Sequence, residues 1–392
     1  MRPEVAQAER SREVRDAARA WRGAGFIGDD ALSRVLDLYQ DDRRRFGTGF
    51  RVLAFIFTGV AAGALVGLSV FLASPSWESA PVFFAFWAAV MAALTELQRG
   101  PGRRASAGAE SATAWMAVLF GLAAPVVNAT DPSFAVLLIR FLVTALVVCA
   151  LAAWRWGDRP FFLGAALAMY GLLTQTDLAR LWWIVAALVL IPVCLNAARH
   201  PRFAPSHRTG AVIVGGVSIL ALYVAIHIWS YDQRWIEQLN EAWPVSPPAL
   251  PPASWRLVAI AGTALLPLGL LAIGWLRRER LLLYGGLLLI GATIATIRLY
   301  RAVMPLSLAL ILVGALCLAL ALWVRRWLRS GPLGERGGFT ADPLFDNTNR
   351  TEAIRSVVAM ASFTPAAEAP PSGRAFEGGG GSFGGGGATG TF

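Results

Sequence analysis

Between residues 51 and 324 apolar runs alternate with short polar connections, and the runs are long enough for helices that cross a bilayer, which takes roughly 20 residues. Ten runs are read, at 51–73, 80–97, 112–130, 133–153, 160–176, 181–197, 210–230, 255–275, 281–298 and 303–324. The expected fold is all-α, a polytopic membrane protein of about ten transmembrane helices. The run 160–176 is the shortest of these, and Asp131-Pro132 predicts a tight helical hairpin between 112–130 and 133–153.

Polar segments flank this block. Residues 3–22 are rich in Ala, Arg and Glu, and 29–46 place Leu32, Val35, Leu36 and Tyr39 at helical spacing behind Asp29 or Asp30 as a cap. Gly23, Gly25 and Gly28 predict a turn presenting Trp21, Phe26 and Ile27. Residues 1–48 are thus expected to be a cytoplasmic amphipathic helix pair docked on the bundle 49–330. A partner-binding role for the pair would rest on Trp21, Leu32 and Leu36. After Gly331 the apolar runs stop; 351–362 allow one short helix, and the Pro/Gly-rich remainder predicts a disordered cytoplasmic tail over 331–392. Phe376, Phe383 and Phe392 exceed what a plain linker needs and are candidates for docking a protein partner. The one sizeable outer connection, 231–254, is expected to hold a short interfacial helix with Trp235, Ile236, Leu239 and Trp243 on one side.

Charge orients the bundle. All 35 basic residues are Arg, and the net charge is +10. The connections 98–111, 154–159, 198–209 and 276–280, with the exit 325–329, carry fourteen Arg against six on the other side, so both termini are expected in the cytoplasm. The same placement accounts for the basic balance without nucleic acid, for which no motif is present. The opening 50 residues are too charged for a signal peptide. A composition 56% hydrophobic and 15% charged makes the lipid bilayer the main partner, and Arg without Lys beside abundant Ala and Gly suggests a GC-rich bacterial genome, so the expected location is a bacterial inner membrane.

The pattern Trp21, Gly25, Ile27, Leu32, Leu36 and Tyr39, followed directly by many spans, resembles a family of uncharacterised bacterial polytopic inner-membrane proteins with a short N-terminal helical domain of unknown function. The stretch from Leu281 through Tyr284-Gly-Gly to Tyr300 resembles related polytopic proteins. The Gly-rich end is similar to the tails of TPM-domain membrane proteins, without a TPM domain here. The resemblance implies a class and no activity.

Candidate chemistry is sparse. Cys149, Cys194 and Cys317 lie inside apolar runs with no metal-ligand spacing, and His200 and His207 read as loop residues. No HExxH, GxSxG, Walker loop or intramembrane aspartate pair is present, so neither an enzyme nor a cofactor is expected. Ionisable groups near or inside spans are Glu96, Arg140, Asp177, Arg180, His227, Arg298 and Arg301. Arg140 is the deepest, with Asp177 or an anionic ligand as its expected counterpart. Arg140, Asp177, Arg180, Arg298 and Arg301 are the pathway candidates for a small, anionic solute. A 121-residue shift carries Trp154 to Trp275, Arg159 to Arg280, Gly164 to Gly285 and Arg180 to Arg301, the trace of a parallel repeat. The expected function is a transporter or permease, with a membrane scaffold recruiting partners through both soluble ends as the alternative.

Overall fold

The computed structural model describes residues 3–23, 25–39, 47–76, 78–99, 108–127, 133–176, 178–227, 254–300, 306–331, 335–336 and 339–340. The chain divides into compact units Met1–Ala341 and Asp342–Phe392, and the described residues all belong to the first. The expected tail helix 351–362, the Asp131-Pro132 turn, the outer segment 231–253, and Phe376, Phe383 and Phe392 lie outside them.

Twelve helices are found among the described residues. Two precede the apolar block, α1 (Pro3–Gly23) and α2 (Asp29–Leu38). Ten follow: α3 (Thr48–Ala73), α4 (Ala80–Gln98), α5 (Ala109–Val127), α6 (Phe134–Trp156), α7 (Arg159–Leu173), α8 (Ala179–Arg199), α9 (Pro205–Ile226), α10 (Ser254–Arg277), α11 (Arg280–Tyr300) and α12 (Leu306–Arg329). A two-residue antiparallel pair, Glu335–Arg336 with Phe339–Thr340, is the described strand structure. Seven helices, α3 to α6 and α8 to α10, are long and apolar enough to cross a membrane. Arg159–Leu173 and Arg280–Thr296 are apolar but shorter. The protein is therefore multi-pass, and seven is the number of spans that length and composition establish among the described residues.

Proline at the first turns of α4, α7 and α9 starts those helices where a missing N–H costs nothing. In α2 the cap is Gly28, and Asp29 and Asp30 sit inside the first turn instead, where their charge complements the helix dipole. That helix ends at Leu38, short of the expected 46, and residues 40–46 lie outside the described set.

The bundle is built from hairpins of sequence neighbours, α4 with α5, α6 with α7, α8 with α9 and α10 with α11. Small residues let the helices approach in two of three clusters, as packing in lipid favours, and the third is made of large side chains. Ala62 and Val66 of α3, Trp87 and Met91 of α4 and Ala117 of α5 make one cluster. Ala114 and Val118 of α5 meet Cys149, Ala152 and Ala153 of α6 and Phe161 of α7 in a second. Ile219 and Tyr223 of α9, Leu270 of α10, and Leu282 and Leu289 of α11 make a third. At Gly108 (φ +93) a Cβ would run into the carbonyl of Arg51, so glycine is required where the start of α5 meets α3.

Two corners of the bundle repeat one another. Between α6 and α7 the chain turns through Gly157 (φ 76); between α10 and α11 it turns through Arg278 (φ 55). Arg99, at the end of α4, donates to the Trp156 carbonyl (2.9 Å) and pairs with Asp158 (2.5 Å). Arg199, at the end of α8, donates to the Arg277 carbonyl (3.4 Å) and pairs with Glu279. Trp156, Gly157 and Asp158 map onto Arg277, Arg278 and Glu279 by the same 121-residue shift, which also carries buried Cys149 to Leu270 and Phe161 to Leu282. The two arginines differ by a smaller offset because the connection after α9 is longer than that after α5.

Helix α1 lies against this end of the bundle. Arg208 pairs with Glu13, the Ser206 N–H donates to Glu9 (3.2 Å), and Arg10 donates to the Arg202 carbonyl (2.7 Å), all at the start of α9. Ala18 is fully buried.

Candidate functional site

Buried polar side chains lie in two places: Thr95, Glu110 and Thr113 between α4 and α5, where the Thr95 and Thr113 hydroxyls bond each other and carbonyls of their own helices, and a second set between α9, α10 and α11. Tyr223 and His227 are four residues apart on one face of α9, and Thr293 and Thr296 are three apart on one face of α11, so each helix offers two polar groups to the other. His227 is 5% exposed and Thr296 3%, and the His227 Nε2 lies 2.9 Å from the Thr296 hydroxyl. The Tyr223 hydroxyl lies 2.9 Å from that of Thr293, and the Tyr223 and His227 rings are 4.8 Å apart.

The proton inventory sets directions. A threonine hydroxyl has one proton to give. Thr293 Oγ1 is 2.9 Å from both the Thr263 and the Leu289 carbonyls. The Leu289 carbonyl has an acceptor role within its own helix, whereas that of Thr263 lies four residues before Pro267, which has no N–H to donate. Thr293 therefore repairs the break that Pro267 makes in α10, as hydroxyls of neighbouring helices do in membranes. Tyr223 then donates to Thr293. By the same count Thr296, whose hydroxyl is 2.8 Å from the Ala292 carbonyl, receives the proton of His227 when it gives its own to that carbonyl.

This repair does not account for His227 and Thr296. Among the described residues no proline lies on α9 or α11 beside them, and burying an imidazole at the end of an apolar helix costs free energy that hydrogen bonding offsets. The pair sets a ring nitrogen beside a hydroxyl, able to bind a polar group or to pass a proton to one.

Of the pathway candidates read from sequence, the two whose side chains are described, Arg140 and Arg180, lie elsewhere. Arg140 is on the exposed face of α6, where its carbonyl accepts from Thr144. Arg180 is half-buried at the start of α8. Arg298 belongs to α11, two residues beyond Thr296, but its side chain, like Asp177 and Arg301, lies outside the described residues. Of the partner candidates, Trp21 is exposed at the end of α1, and Leu32 and Leu36 are half-buried on α2. Glu96 accepts from both Arg155 (2.8 and 2.6 Å) and the Trp156 indole (2.9 Å), so it closes a corner of the bundle. His207 donates to the Trp154 carbonyl (3.1 Å), and no group of three His, Cys, Asp or Glu able to hold a metal is found among the described residues. Sequence reasoning singled out His227 but missed Tyr223, Thr263, Thr293 and Thr296. The signal was present: proline in an apolar run implies a freed carbonyl four residues earlier and a hydroxyl nearby to meet it.

No family model, curated protein or solved structure matches this chain.

Proposed function

We propose that the protein is a permease for a small polar solute and that His227 and Thr296, with Tyr223 beside them, form its recognition site between α9 and α11. The observation that supports this reading is the buried His227–Thr296 pair, polar at the end of apolar helices. The site offers an imidazole and hydroxyls, which suits an oxyanion or a polyol, and Arg298 and Arg301 follow on the same stretch of chain to draw an anion towards it. The Arg-rich end of the bundle then faces the cytoplasm of a bacterial cell, both termini lie inside, and the remaining apolar helices complete ten spans. The test is uptake of labelled organic anions and polyols into proteoliposomes with the intact protein and with His227→Leu/Thr296→Val. Saturable uptake abolished in the double variant, at unchanged thermal stability, is the expected result. Equal uptake by both proteins would remove the site from the mechanism.

A second reading, a scaffold for other proteins, draws on one observation. Phe26 and Leu38, at the turn and end of the α1–α2 pair, are 79% and 77% exposed. Deleting residues 1–47 would cost a scaffold its partners and leave a permease its solute.

A further inference from the structure

We infer that the corner between α10, α11 and α12 binds the headgroup of an anionic phospholipid. The two corners share their bonding pattern but not their charge. In the first, Arg99, Arg155 and Arg159 face Glu96 and Asp158, and Glu96 takes Arg155 through two hydrogen bonds. In the second, Arg277, Arg278 and Arg280 flank Glu279 in sequence, and among the described residues Glu279 is already paired with Arg199. The position matching Glu96, three residues before the corner arginine, is Asn196. The end of α12 adds to the excess: the rings of Trp275 and Trp327 meet at 5.8 Å, so Arg325, Arg326 and Arg329 come to the same end of the bundle as Arg277, Arg278 and Arg280, and the strand Glu335–Arg336 packed against α12 brings one charge of each sign.

Two further features fit a lipid rather than a free anion. Trp275, Leu276 and Trp323 are exposed directly beside these charges, an aromatic and aliphatic surface at headgroup level. And Arg278 holds a left-handed conformation where the first corner has Gly157, a strain that glycine would relieve. Clustered guanidinium groups recognise phosphate through paired donors, and basic pockets between membrane helices take anionic headgroups. The occupant is a phospholipid with one or two phosphates, its acyl chains along α10 and α12.

The test is native mass spectrometry of the full-length protein in detergent with defined phosphatidylglycerol, cardiolipin or phosphatidylcholine, alongside inorganic phosphate in a thermal-shift assay. Retention of cardiolipin and phosphatidylglycerol over phosphatidylcholine is expected, falling about fivefold for each arginine removed in Arg277→Gln, Arg278→Gln and Arg280→Gln, and unchanged in Arg159→Gln at the first corner. Arg278→Gly separates binding from folding: it should raise thermal stability while lowering lipid retention. Equal retention of all three lipids, loss of retention in Arg159→Gln as large as at the second corner, or full stabilisation by inorganic phosphate alone would overturn the assignment.

Discussion

Replacing Thr293 by valine keeps the shape of the side chain and removes the hydroxyl that meets both Tyr223 and the carbonyl freed by Pro267. Interhelical hydrogen bonds in membranes are worth about 0.6 kcal/mol on average and up to about 1.7. The Thr263 carbonyl loses this donor and the Tyr223 hydroxyl loses one of the two threonines it meets, and a buried group left unsatisfied costs about 1–3 kcal/mol. Thr293→Val is therefore expected to destabilise by about 2 kcal/mol. Pro267→Ala supplies the missing N–H within α10, so Thr263 regains a partner of its own and Thr293 becomes less necessary. Pro267→Ala also removes buried ring carbons, a cost that appears in both arms of the cycle and cancels. In that background Thr293→Val should cost about 1 kcal/mol less, since only the Tyr223–Thr293 hydrogen bond is then lost. The assay is SDS-titrated unfolding in mixed micelles, followed by tryptophan fluorescence, on the four proteins of the cycle. A cost of Thr293→Val that is the same in both backgrounds, to within about 0.3 kcal/mol, would refute the repair.

Three other outcomes are expected. Gly108→Ala should destabilise by several kcal/mol or prevent folding, because its φ is +93 and a Cβ would strike the Arg51 carbonyl; an unchanged midpoint in the same titration would contradict this. Asp158→Asn leaves Arg99 without its partly buried partner, the two side chains being 16% and 29% exposed, and should cost about 1–2 kcal/mol, whereas Glu13→Gln at the more exposed contact with Arg208 should cost less than about 1 kcal/mol and lose that effect in high salt. Arg140→Gln, on the exposed face of α6, should leave solute uptake unchanged, and its loss would move the pathway away from α9 and α11.

Hydropathy carried much of the fold. The apolar runs coincide with helices because runs of this kind leave the backbone one way to satisfy itself in lipid, and helix ends moved by only a few residues, 112–130 to Ala109–Val127 and 210–230 to Pro205–Ile226. The α2 cap was misplaced by one residue because Asp29 serves the first turn as well as it would serve a cap. The site was less legible for a physical reason. A threonine in a membrane helix can bond a carbonyl of its own helix, so Thr263, Thr293 and Thr296 raise no hydropathy signal, while the guanidinium groups that do were followed instead. Which hydroxyl meets which carbonyl is decided by packing between α10 and α11, and their sequences alone do not state it.

The 121-residue correspondence also separates repair from recognition. In the first copy Leu146 stands where the second has Pro267, and Leu142 and Leu172 stand where the second has Thr263 and Thr293. Where no proline breaks the helix, the hydroxyl that would mend it is absent as well, which is what a structural role for Thr293 requires. Thr296 behaves differently. Its counterpart is Gln175, which lies in the turn just beyond α7 and whose side-chain amide meets the Gly171 carbonyl at that helix end. Polarity at this position thus does not track the proline. The His227 imidazole beside Thr296, rather than the Thr263–Thr293 bond one turn deeper, is accordingly where a solute-binding role has to be looked for, and Thr293→Val with its loss of stability is the control against which a loss of uptake in His227→Leu should be read.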